Sequence, residues 1–144
     1  MASLLYGDNS YISLESAMSF YRLIPERVFQ VSSVSTSKTK TFTNDLTSFN
    51  YKHIKPSLFD YFINQIDEFG NACKIAYPEK ALLDYIYFKV KANQSIDEDF
   101  FEENLRLQNL EILKSSRLKK LDSLFNMKKI SQAIVVLKRI LKNA

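Results

Sequence analysis

Tyr77-Pro78-Glu79-Lys80-Ala81-Leu82-Leu83-Asp84 is the stretch at which this chain changes character. Pro78 suits the first helical position, where its missing N–H leaves nothing unsatisfied. Glu79, in the first turn, matches the positive end of the helix dipole. Ala81, Leu82, Leu83, Tyr85, Ile86, Tyr87, Phe88 and Val90 then make the helix apolar nearly all round, the pattern of a buried helix. Lys80, Asp84 and Lys91 form its one polar stripe. Lys80 and Asp84 stand at i,i+4, the spacing of an ordinary exposed pair that contributes a few tenths of a kcal/mol.

Everything downstream reads as helical. Periodicity predicts helices over about residues 97–107 and 110–125, the first of them acidic at its start. A last helix, 128–142, buries Ile130, Ala133, Ile134, Leu137 and Leu141 and exposes Lys128, Gln132, Arg139 and Lys142. Upstream, Leu14, Ala17, Met18 and Tyr21 mark one face of a short helix that Ser13 can cap and Pro25 ends. β-type segments follow: 28–31, 38–43, 49–54, part of 58–66, and 74–77, rich in β-branched and aromatic residues. Ser32 to Ser37 reads as a connection between two of them. Phe69-Gly70-Asn71 reads as a hairpin turn, with Gly70 supplying the positive φ such turns use. The expected fold is α+β: a mostly antiparallel sheet of about four to six strands flanked by helices, followed by a C-terminal helical bundle. A single domain is expected, with residues 1–77 as the helix-plus-sheet part and 78–144 as the helical part.

Composition narrows the class. The chain has 144 residues, 46 % of them hydrophobic and 25 % charged, which suits a globular domain with a sizeable core. No apolar run approaches the ~18–20 residues of a membrane span, and the N-terminus lacks the pattern of a signal peptide. One cysteine, Cys73, allows no internal disulfide and fits a reducing compartment, so the cytoplasm is the default location. The net charge of +4 hides an asymmetry: +2 over residues 1–59, −6 over 60–111 and +8 over 112–144. Such a basic tail can attract phosphate backbones or an acidic protein surface, or neutralise the acidic middle of its own chain.

Candidate chemistry is sparse. Glu79, Lys80 and Asp84 put two carboxylates and an amine on one helix, yet their spacing is also that of a helix start and a surface pair, and the motif Pro78, Glu79, Lys80, Asp84 is read as structural. His53 is the only histidine; it shares a strand face with Tyr51, which suggests a packed or hydrogen-bonded side chain. With Cys73 as the only thiol, a His/Cys zinc set cannot be assembled, and neither metal nor cofactor is expected. Asp60, Asp67, Glu68 and Lys74 sit across the expected hairpin. A nuclease pattern would need an acidic residue two before the lysine, where Ala72 stands. No Gly-rich phosphate loop, HExxH or nucleophile elbow occurs. Two basic surfaces remain as candidates for nucleic-acid or partner contact: Lys38, Lys40, Lys52 and Lys55 in the sheet, and Lys128, Lys129, Arg139 and Lys142 on the last helix.

Three blocks carry a family likeness. Tyr11-Ile12-Ser13-Leu14-Glu15-Ser16-Ala17 with Ile24-Pro25-Glu26 is the first. Tyr51-Lys52-His53-Ile54-Lys55-Pro56 and an aromatic strand form the second. Ala76 through Asp84 is the third. In this order and spacing they resemble the antitoxin domain of AbiEi-type proteins, the antitoxins and transcriptional regulators of type IV toxin–antitoxin systems in abortive infection, a form of phage defence. The likeness covers residues 4 to about 90 well and the helical remainder more loosely. It implies a non-catalytic domain that counteracts a nucleotidyltransferase-like toxin, without requiring stable toxin binding. In that family a DNA-binding winged helix precedes the first block. Only ten residues precede it here, so the expectation is the antitoxin domain without its operator-reading partner. Tyr77 also departs from the family, which often has threonine before the proline; tyrosine cannot cap the helix. The alternative expectation is a nucleic-acid-binding accessory module of a transcriptional regulator that uses the basic C-terminal helices.

Overall fold

The computed structural model describes residues 10–26, 31–36, 40–43, 48–66 and 72–143. It is an α+β fold. Strand β1 (Ser10–Ile12) leads into helix α1 (Leu14–Phe20), and four strands follow: β2 (Val31–Ser35), β3 (Lys40–Thr43), β4 (Ser48–His53) and β5 (Phe62–Ile66). Strand β6 (Ala72–Ala76) delivers the chain into helix α2 (Pro78–Lys91), and α3 (Ser115–Phe125) and α4 (Lys128–Lys142) complete it. No helix among the described residues is long and apolar enough to cross a membrane.

The six strands form one sheet in the order β3-β4-β2-β1-β6-β5. The sheet is mixed rather than mostly antiparallel. β1 pairs antiparallel with β2, β3 with β4, and β5 with β6. β1 runs parallel to β6, and β2 parallel to β4. The physical reason lies in the connections. After β2 the chain travels out to edge strand β3 and returns as β4 between them, while β6 closes on β1 only after the whole intervening sheet has been laid down.

The serine-rich segment is the clearest departure from expectation. Ser32–Ser35 is not a connection but strand β2, near the middle of the sheet, paired on both sides. Ser32, Ser33 and Ser35 are buried. Serine has modest strand propensity, so local preference misleads; the segment is held by two ladders and by the Ser32 N–H donating to Ser16 Oγ at 2.7 Å. Ser33 Oγ finds no hydrogen-bond partner among the described residues, a cost of about 1–3 kcal/mol near the centre of the sheet. Residues 28–30 and the turn Phe69-Gly70-Asn71 lie outside the described residues.

The helices pack on this sheet and on one another. α1 lies against α2 and β2, and α2 touches β6, α3 and α4. Ten of the fourteen residues of α2 are buried, and the main core cluster extends in sequence from Tyr11 to Leu137. α4 covers the range expected of it, with Ile130, Ala133, Ile134 and Leu137 buried at helical spacing. The expected helix over 97–107 reduces to a short turn whose centre, Phe100–Asn104, is a π-turn, with Leu105 N–H reaching Phe100 O at 2.9 Å. The adjacent Phe100 and Phe101 are both buried there. The expected helix over 110–125 is two pieces, a 3-10 turn at Leu110–Ile112 and α3, separated by extended backbone at Leu113 and Lys114.

Candidate functional site: a sealed polar network under helix α2

Successive turns of α2 carry Lys80 and Asp84, and β1 carries Tyr11 with Ser13 one residue beyond its end. All four side chains come together, and all four residues have zero exposure. The i,i+4 pair is therefore not a surface stripe: Lys80 Nζ donates to Asp84 Oδ1 at 2.5 Å with both side chains fully enclosed. Residues 78 to 84 of α2 are all buried, so a polar pair there has no solvent to face and must be satisfied internally.

The satisfaction is thorough. Asp84 Oδ2 accepts from Tyr11 Oη and from Ser13 Oγ, each at 2.8 Å. Lys80 Nζ also donates to Tyr11 Oη at 2.7 Å. The ammonium lies 5.2 Å from the Tyr11 ring centroid and 5.2 Å from that of Phe125, so α3 supplies an aromatic face to the same charge. Tyr11 thus accepts from the lysine and donates to the aspartate. Burial, followed by the Asp84 charge and its hydrogen bond, pushes the Tyr11 phenol well above its ordinary value and keeps it protonated.

Ser13 does not cap α1 with its side chain; the hydroxyl is spent on Asp84. Leu14, which follows it, has φ 57°, an uncommon conformation for a bulky residue.

Glu79 is the second buried carboxylate of α2, also without exposure. It accepts the Lys114 backbone N–H at 2.7 Å and pairs with Arg117 at 3.5 Å. Arg117 in turn sits 4.4 Å over the Tyr77 ring. Glu79 thereby anchors the start of α3, beyond its expected match to a helix dipole. The Tyr77 side chain supplies no cap, as expected, and the Ala81 N–H bonds the Tyr77 carbonyl.

Tyr21 donates to Ala76 O at 2.6 Å, and burial, then the Glu79 charge, push its phenol up to about 12. A tyrosine raised in this way keeps its proton in the fold after the unfolded chain, titrating near 10, has lost it. Its contribution to stability is complete below about pH 10 and disappears as pH climbs toward 12. Tyrosinate absorbance is expected to include a component near pH 12 that Tyr21→Phe removes. If every tyrosine ionised near pH 10 with the fold intact, this placement of Tyr21 would be wrong.

The surrounding clefts of about 240 to 410 Å³ are not lined by Tyr11, Ser13, Lys80 or Asp84. The four residues of the network are enclosed by the protein. Among the described residues, no cluster of three or more His, Cys, Asp or Glu side chains is arranged to hold a metal ion.

The other sequence candidates are dispersed. His53 is exposed at the end of β4, while Tyr51 is fully buried. Cys73 is half-buried in β6. Lys38 lies outside the described residues, and Lys40 is placed in β3 by its backbone. Lys52 is half-buried with its ammonium 5.2 Å from the Phe88 ring centroid, and Lys55 is exposed. Lys128, Lys129, Arg139 and Lys142 are exposed on α4, and Arg139 pairs with Glu98 at 3.3 Å. Lys128 and Lys142 stand about 21 Å apart along the helix, so these charges form two groups rather than one patch. Tyr11 and Ser13 were not singled out by sequence reasoning as site residues. Their signal was available: a lysine and an aspartate on a buried helix require buried polar partners, and the nearby β-type segment offers a tyrosine and a serine two apart. No family model and no curated protein matches this chain.

Proposed function

We propose that this chain is a non-catalytic antitoxin domain of the AbiEi type, which counteracts a nucleotidyltransferase-like toxin by interaction. One observation carries the reading. The first and third of the sequence blocks that resemble that family, far apart in the chain, supply Tyr11, Ser13, Lys80 and Asp84, and these four residues form one sealed network. The residues of the resemblance are thus coupled in space as well as ordered in sequence. A network with no exposure suits a domain whose work is done by its surface.

The test is growth. Co-expression of this chain with the nucleotidyltransferase-like toxin encoded beside it is expected to restore colony formation. Toxicity that persists while the chain is present, folded and in excess would refute the proposal.

A further inference from the structure

Between α1, β4 and α2, a cleft of about 240 Å³ is lined by Glu15 and Leu14 of α1, Lys52 of β4, and Tyr85, Phe88 and Lys89 of α2. Its chemistry is specific. Lys52 and Lys89 each hold an ammonium 5.2 Å from an aromatic centroid, Phe88 and Tyr85 respectively. Neither lysine has a carboxylate partner among the described residues. Leu14, the buried residue at φ 57°, forms part of the wall, so uncommon backbone geometry sits beside unpaired charge.

We propose that this cleft binds a nucleoside phosphate, with the phosphate between Lys52 and Lys89, the base against Tyr85 and Phe88, and Glu15 accepting from the base's exocyclic amine. Two ammonium groups without carboxylate partners suit an anion. Two half-buried rings give a flat base an apolar wall. Glu15 calls for a hydrogen-bond donor as well as an anion, which a nucleobase amine provides and an acidic side chain does not; a carboxylate pairs with such an amine on cytosine. The volume is small for a ligand pocket and limits the occupant to about one nucleotide unit. A free nucleotide and one unit of a single strand share this chemistry. The inference does not depend on the antitoxin reading, and a failure to neutralise toxin leaves it standing.

Calorimetric titration of the full chain tests it, with four ribonucleoside monophosphates, short single-stranded oligonucleotides, inorganic phosphate and an acidic peptide as probes. Cytidine, adenosine or guanosine monophosphate is expected to bind more tightly than uridine monophosphate, and all more tightly than phosphate. Lys52→Gln and Lys89→Gln are each expected to weaken binding at least ~10-fold, with circular dichroism unchanged. Glu15→Gln is expected to erase the preference for amine-bearing bases while leaving the uridine nucleotide's affinity as it was. Oligonucleotides that bind more than ~10-fold tighter than mononucleotides identify a strand as the source, and equal affinities identify the free nucleotide; either supports the site. The proposal is overturned if nucleotides bind no better than phosphate, if both lysine variants bind like the parent, or if only the acidic peptide binds.

Discussion

Asp84→Ala is expected to lower the free energy of unfolding by about 3–5 kcal/mol, the cost of stranding a buried charge when its partner is removed. The substitution strands the Lys80 ammonium in a site with zero exposure and leaves the Tyr11 and Ser13 hydroxyls without their shared acceptor. In a domain of this size the melting temperature should fall by roughly 10–20 °C. The double variant Lys80→Met with Asp84→Leu should recover much of the loss, because no buried charge is then unpaired; what remains reflects the two hydroxyls. Thermal melts of Lys80→Met, Asp84→Leu and the double variant close a double-mutant cycle and give the coupling directly. An Asp84→Ala cost below about 1 kcal/mol would place the pair in solvent and remove the sealed network.

Phe101→Ala is expected to cost about 3–5 kcal/mol as a cavity, since the ring is fully buried. Phe101 packs edge-on to Phe100 within the π-turn Phe100–Asn104, with ring centroids 5.4 Å apart at 85°. Phe101→Leu keeps most of the volume and should cost much less. Denaturant melts of the two variants check the ranking. Equal, small losses would mean that the turn does not bury this ring.

How far the fold could be read in advance depended on whether one local signal dominated. The span of helix α4 was legible because its apolar spacing is regular, although Leu141, expected inside, is only half-buried. Helix α2 was placed from Pro78 for the same reason, and its burial followed from its composition. The consequence of that burial for Lys80 and Asp84 was available but masked by the i,i+4 rule, which holds for helix surfaces exposed to water. Ser32–Ser35 defeated propensity, because its strand is dictated by pairing with β1 and β4 rather than by its own side chains. The break before α3 had no local signal either: it is fixed by the Glu79 carboxylate reaching the Lys114 N–H from 35 residues away. The lysine–aromatic cleft joins three elements, and only Lys52 was singled out by its sequence.

The parallel pairing of β1 with β6 also sets a timetable. β1 occupies the middle of the sheet, yet its Ile12 partners Ile75, and its Tyr11 partners Asp84 from 73 residues away. During synthesis at about 5–20 residues per second, β1 waits roughly 4–15 s for the segment that completes it. Until then it can pair only with β2, and the Tyr11 hydroxyl stays in water. The hydrogen-bonded network therefore closes only on the arrival of α2, which supplies lysine and aspartate together. Contacts this distant in sequence make for slow folding, so a nascent chain shorter than about this length carries an unfinished sheet for a chaperone to shield.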